Sequence, residues 1–194
     1  MKKVLMKKKA AIIILGLITL IISMGVVSAE PLKGSEGETQ SMIIIGCALA
    51  MGIAGVGAAT GLMLAGSSAV AVTGEKPDLF GKCLIFSVLP MTQAVYGLLT
   101  AILLMMGAGL LGGGSRADLT NPMIGLSAIG IGLVVGLTGL SAINQGQVAS
   151  SSISATARNP DVAARGIIYT VMTETIAIFG LLVGILLMTG LGLL

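Results

Sequence analysis

Histidine and tryptophan are absent from the 194 residues, cysteine occurs twice, and only 10% of the chain is charged. Without histidine or paired cysteines, the soft-ligand chemistry of zinc, copper and iron–sulfur sites is excluded. Cys47 and Cys83 fall near opposite ends of adjacent predicted helices, too far apart for a bridge, and read as small apolar residues. The net charge of +3 lies largely in a leader with five lysines (Lys2, Lys3, Lys7, Lys8 and Lys9), so no nucleic-acid partner is implied. Gly55-Val-Gly57 followed by Gly61 has neither the strand nor the spacing of a nucleotide-binding loop. No ten-residue alternation of apolar and polar residues occurs, which argues against a membrane β-barrel.

What is present is hydrocarbon: 55% of the residues are hydrophobic and the mean hydropathy is +1.06. Apolar segments run over about 42–72, 83–111, 123–153 and 166–194. Each exceeds the roughly 20 residues a helix needs to cross a bilayer. The expected fold is an all-α membrane protein with four transmembrane helices, arranged as two tandem helical hairpins after an N-terminal signal-like segment. Residues 1–29 combine the lysines with an apolar run over 10–27 that ends in Val27-Ser28-Ala29, the pattern of a signal peptide or, alternatively, an extra membrane helix. Cleavage would leave a chain starting near Glu30. Then follow a short extracytoplasmic segment (30–41), a first hairpin (42–111), an extracytoplasmic loop (112–122) and a second hairpin (123–194). Lys76, Lys82, Arg158 and Arg165 flank the loops at 73–82 and 156–165, while Glu30, Glu36, Glu38 and Asp118 lie toward the other side. The positive-inside tendency puts the hairpin loops in the cytoplasm and both mature termini outside the cell membrane.

The hairpins repeat one another. Sliding the chain by 83 residues brings Pro77-Asp78 onto Pro160-Asp161, Lys82 onto Arg165, Thr92 onto Thr175 and Gly97-Leu98-Leu99 onto Gly180-Leu181-Leu182, without a gap. An even number of helices precedes the second copy, so the repeat is parallel. The first helix of each hairpin is rich in glycine and the second in Leu, Ile, Met and Phe. Small residues let helix backbones approach in lipid, where hydrophobic force between helices is weak. Wedges narrow on one helix and wide on the other close naturally into a ring with the glycine helices inside; ordinary packing within one chain is the plainer reading of the same composition.

Glu174 is the one acidic residue well inside a span. An ionisable group there costs at least a few kcal/mol, so it faces a partner or a pathway more often than lipid. Folding the second hairpin about Asn159-Pro160 puts Gln145 level with Glu174 on the facing helix. Thr92, Gln93 and Tyr96 cluster at a similar depth in the first hairpin, Thr92 and Tyr96 on one helical face. These groups make an oxygen-only set suited to a hard cation or a proton. Pro90 loosens the ladder one turn earlier, which frees the carbonyl of Phe86 or tilts that of Leu89 toward the cluster. In the first copy the matching positions are Met91 and Leu62, both apolar, so one chain holds one site.

The stretches LPMTQAVYG (89–97), NQGQVA (144–149), ARNPDVAARGII (157–168) and ETIAIFG (174–180) resemble the proteolipid rotor subunit, called c or K, of vacuolar- and archaeal-type rotary ATPases. In the sodium-binding branch the resemblance assigns ligands to the carbonyl of Leu89, the side chains of Thr92, Gln93 and Gln145, and the carboxylate of Glu174. Tyr96 falls where a tyrosine of the family hydrogen-bonds that carboxylate. Thr173 replaces the second proline and Ile176 the second glutamine of the duplicated motif. The resemblance implies a homo-oligomeric ring in the bilayer, non-catalytic by itself and without a cofactor. Its carried ion is Na⁺ before H⁺, and its partners are a stator subunit with a cationic residue and the central-stalk subunits. Two other classes compete: a structural or pore-forming proteolipid, in which Glu174→Gln keeps function, and a small transporter working as a single unit.

Overall fold

The computed structural model describes residues 35–194. The leader at 1–29 and Glu30 lie outside the described residues. Among those described all regular structure is helical, with four spans long and apolar enough to cross a membrane: Glu36–Glu75, Pro77–Gly107, Pro122–Arg158 and Pro160–Gly190. The all-α, four-span expectation holds.

The first span is one continuous helix, α1 (Ser35–Glu75). At 1.5 Å per residue its 41 residues extend about 60 Å, well beyond a hydrocarbon core of about 30 Å. It begins seven residues before position 42, where hydropathy placed the start. Glu36 and Glu38 occupy its first turn, where carboxylates complement the positive end of the helix dipole.

The second span is built in pieces: a 3₁₀ turn (Pro77–Leu79), α2 (Phe80–Val88), a second 3₁₀ turn (Leu89–Met91) and α3 (Thr92–Gly107). The third comprises α4 (Pro122–Gly139) and α5 (Ser141–Arg158), separated at Leu140. There the Thr138 hydroxyl donates back to the carbonyls of Val134 (2.7 Å) and Val135 (3.2 Å), a contact that bends helices, and Gly139 follows. The fourth span repeats the second, with a 3₁₀ turn (Pro160–Val162), α6 (Ala163–Met172) and α7 (Thr175–Gly190). Prolines at the first position of both hairpin-turn 3₁₀ elements and of α4 start elements where no amide donor is needed. Asn121 adds a side-chain cap on the Met123 amide.

The glycine-rich spans, first and third, pack backbone to backbone. Gly132 lies against Gly46, Gly57 against Gly139, and Gly61 against Ala142 and Gly146, so closely that an added Cβ would strike main-chain atoms. The second and fourth spans turn large apolar side chains outward, among them Val95, Phe179 and Leu186. Two buried apolar clusters result. One gathers Ile43, Cys47, Leu104, Ile131 and Met188 on the side of the loop that joins the hairpins; the other gathers Ala65, Leu79, Cys83, Phe86 and Ile153 near the hairpin turns. Cys47 and Cys83 are free thiols in different clusters.

Candidate ion site

Between these clusters lies a layer of buried polar side chains. Gln93, Gln145 and Thr170 are fully buried, and Glu174 is 8% exposed. Inside lipid such groups must satisfy one another.

The second span delivers its share through the break at Pro90. The ring removes an amide and tightens the chain to the 3₁₀ turn Leu89–Met91, and the Thr92 hydroxyl donates to the Leu89 carbonyl at 2.9 Å. Leu89, rather than Phe86, thus turns its carbonyl to the polar layer, while the side chain of Phe86 stays in the apolar cluster. The fourth span breaks at the same register without a proline. Thr173 and Glu174 fall between α6 and α7; the Thr173 hydroxyl donates to the Thr170 carbonyl (2.7 Å), and the Glu174 amide reaches back three residues to Val171 (2.9 Å). The substitution of Thr173 for proline therefore keeps the local geometry.

The structure brings all six candidate residues together. The Tyr96 hydroxyl donates to Glu174 Oε1 at 2.6 Å, within the range of charge-assisted bonds. Gln145 Nε2 lies 3.5 Å from Glu174 Oε2 and 3.2 Å from the Thr170 carbonyl, and Gln145 Oε1 accepts from Gln93 Nε2 at 2.8 Å. Thr92 Oγ1 stands 3.2 Å from Gln93 Oε1 as well as 2.9 Å from the Leu89 oxygen. One hydroxyl proton faces two acceptors there, so three oxygens converge with a single hydrogen among them. That is an arrangement a hard cation relieves. An amide oxygen has two lone pairs, so Gln145 Oε1 can face a cation while still accepting from Gln93.

Two members were not foreseen. Thr170 supplies a carbonyl to the Gln145 amide, and Thr173 holds the break. The usable signals were the four-residue spacing of Thr170 from Glu174 and the alignment of Thr173 with Pro90. At the position matching Glu174 in the first hairpin, Met91 is 50% exposed on the outside of the bundle.

This arrangement can be set beside known proteins. A 100-residue stretch is 45% identical to A-type ATP synthase subunit K of Methanocaldococcus jannaschii, covering 46% of this chain and 41% of that protein. A 66-residue stretch is 36% identical to V-type sodium ATPase subunit K of Enterococcus hirae, covering 34% of this chain and 42% of that one. The c' subunit of V-type proton ATPase from Neurospora crassa is 39% identical over 93 residues, 48% of this chain and 54% of its own length. The chain thus spans about half, or less, of the length of these curated relatives. The sequence profile of the ATP synthase C subunit matches twice, over residues 45–104 and 129–187, once in each hairpin and across more than half of the chain. The chain belongs to the ATP synthase C-subunit family.

Proposed function

We propose that this protein is a membrane rotor-ring subunit of a V/A-type ATPase or ATP synthase, and that it carries Na⁺, in preference to H⁺, on Glu174. The observation that carries the reading is the buried carboxylate itself, held by Tyr96 and Gln145 beside the oxygens of Leu89, Thr92 and Gln93. A proton needs only the carboxylate and one partner, whereas this layer supplies oxygens well beyond that. The sodium ATPase relative supports Na⁺; the proton ATPase relative keeps H⁺ as the competing cargo.

In this reading several copies form a ring, glycine-rich spans inward. A stator subunit with a cationic residue meets one Glu174 at a time through aqueous half-channels. There the carboxylate releases its ion. Elsewhere lipid forbids a bare carboxylate, so the ring turns only when Glu174 is neutralised. Each elementary charge crossing 100 mV contributes about 2.3 kcal/mol, passed as torque through central-stalk subunits to a soluble ATP-converting head. The subunit itself is not catalytic. The hairpin turns face the cytoplasm and the mature termini the outside, as the charge distribution suggests.

A hydrophobic carbodiimide, which attacks neutral buried carboxyl groups, tests the site in the purified complex. Glu174 should be modified without Na⁺ and protected by it. Modification indifferent to Na⁺ at every pH makes the cargo a proton, and no modification at any pH rules out an exchanging acid.

A further inference from the structure

The carbonyl of Thr170 has left the hydrogen-bond ladder of its own helix. In a regular α-helix it would accept from the amide of Glu174, but that amide bonds the Val171 carbonyl at 2.9 Å. Two side chains take the vacated place. The Thr173 hydroxyl donates to the Thr170 oxygen at 2.7 Å and Gln145 Nε2 at 3.2 Å, one bond for each lone pair. A main-chain oxygen of the fourth span thereby holds an amide of the third.

That contact decides which end of Gln145 faces which neighbour. A primary amide fits a slot in two orientations that exchange oxygen for nitrogen, and its surroundings choose between them. Nε2 lies against two acceptors, the Thr170 carbonyl and, at 3.5 Å, Glu174 Oε2, whereas Oε1 meets Gln93, whose own amide oxygen borders Thr92. The pull of the carboxylate changes as ions come and go; that of a main-chain carbonyl does not.

We infer that Thr173 is a positioning residue for cation selectivity: its hydroxyl holds the Thr170 carbonyl out of the ladder, the carbonyl fixes the Gln145 amide, and the amide keeps its oxygen toward a bound Na⁺. The inference rests on the sodium-carrier reading above. A proton gains nothing from the lock, because an amide turned the other way offers its oxygen to a carboxylic O–H.

The first hairpin separates this role from that of breaking the helix. Moved back by 83 residues, Gln145, Thr170 and Thr173 become Leu62, Ser87 and Pro90. Proline breaks the second span at the same register, but neither Pro90 nor Leu62 has a side-chain donor for the carbonyl of Ser87. The three-way contact belongs to the hairpin that carries the carboxylate. Thr175 provides the matched comparison, since its hydroxyl makes the same kind of bond, to the Met172 carbonyl at 2.8 Å, on the exposed side of the span.

The test reads carbodiimide modification of Glu174 in the purified complex, with the oligomer checked by native mass spectrometry. T173V should raise the Na⁺ concentration giving half protection by about threefold to tenfold, the worth of one neutral hydrogen bond. Modification without Na⁺ should stay at least at the wild-type level at every pH. T173A, which removes the hydroxyl without adding bulk, should behave in the same way. T173S keeps the hydroxyl and should restore the wild-type midpoint, and T175V should leave it unmoved. An unchanged midpoint in T173V and T173A overturns the inference, and so does a T173S midpoint displaced as far as theirs. Modification lost without Na⁺ in both hydroxyl-free variants marks a collapsed site rather than an altered preference, and overturns it as well. Wild-type protein modified regardless of Na⁺ overturns the sodium reading itself, which none of the variant outcomes does.

Discussion

The two hairpins interrupt their second helix at one register by different chemistry. In the first, Pro90 removes a donor and leaves a 3₁₀ turn; in the second, Thr173 ties its hydroxyl to the Thr170 carbonyl. Yet the residues presented there meet opposite fates, Met91 half exposed and Glu174 8% exposed. The hairpin's own geometry does not explain this, because the backbone break is shared. What differs is the cover. Glu174 faces the second span of its own chain, which supplies Tyr96 and, through Gln93, a partner for Gln145 of the third span, whereas Met91 has no third hairpin to face. Burial of the carboxylate is therefore a property of the seam between hairpins, and the polar residues are divided across that seam.

The comparison breaks most severely at Glu174 itself. E174Q gives the second hairpin a neutral side chain, as in the first, and retains a shape that Tyr96 and Gln145 can still bond. Ion transport by the intact complex should fall to background while native mass spectrometry finds the oligomer unchanged. Retained transport would favour a pore or scaffold without an ion-carrying acid.

Next comes Gly61→Ala. A Cβ at Gly61 would strike the Ala142 carbonyl and the Pro90 ring, and that main-chain carbonyl cannot give way as a flexible side-chain end would. Overpacking of this kind costs about 1–3 kcal/mol. Because Gly61 sets the approach of the helix carrying Gln145, the loss should appear both in unfolding midpoint and in Na⁺ protection of Glu174. Gly81→Ala is the matched control, since Gly81 has open space around it and the second hairpin carries Ala164 at its register. It should leave both readouts unchanged.

Tyr96→Phe is gentler and makes the carboxylate's cover resemble Phe179 of the other copy. It removes one hydrogen bond to a carboxylate, a class of bond that contributes about 1.5–3 kcal/mol. The Na⁺ concentration giving half protection from carbodiimide should change by about tenfold or more, with the oligomer intact. An unchanged midpoint would make Tyr96 a spectator.

Much of this organisation was legible because lipid leaves the chain few choices. Runs of apolar residues had to become helices, and an antiparallel hairpin with equal rise on both arms made Gln145 and Glu174 level by counting alone. The start of α1 was not legible, since Glu36, Glu38 and Thr39 look like a polar tail to a hydropathy reading although they extend the helix. Nor was the interruption at Leu140, which comes from Thr138 and Gly139 rather than from proline. Thr170 escaped notice, and Thr173 was read only as the replacement of a proline, because both act through helical back-bonding and main-chain oxygen, which many threonines in helices share. Pro90 was read correctly as a break, but the choice between the Phe86 and Leu89 carbonyls needed coordinates.

The loop joining the hairpins has no repeat image, and it carries the smallest expected effect. In it the Thr120 hydroxyl donates to Asp118 at 2.6 Å and the Thr120 amide at 3.1 Å. These bonds, the hydroxyl first, hold the Asp118 carboxyl below its usual range. A carboxyl depressed by folding contributes stability that is fully present above its unfolded pKa and is lost as pH falls through the folded value. Asp118 is exposed, so water and salt screen the contribution. D118N, which keeps an acceptor for Thr120 but removes the charge, should unfold slightly more readily than wild type at neutral pH. The gap should close on acidification, read as thermal midpoints of the two proteins across the acid range. A gap that is constant with pH would assign the effect to the shape of the turn rather than to its charge.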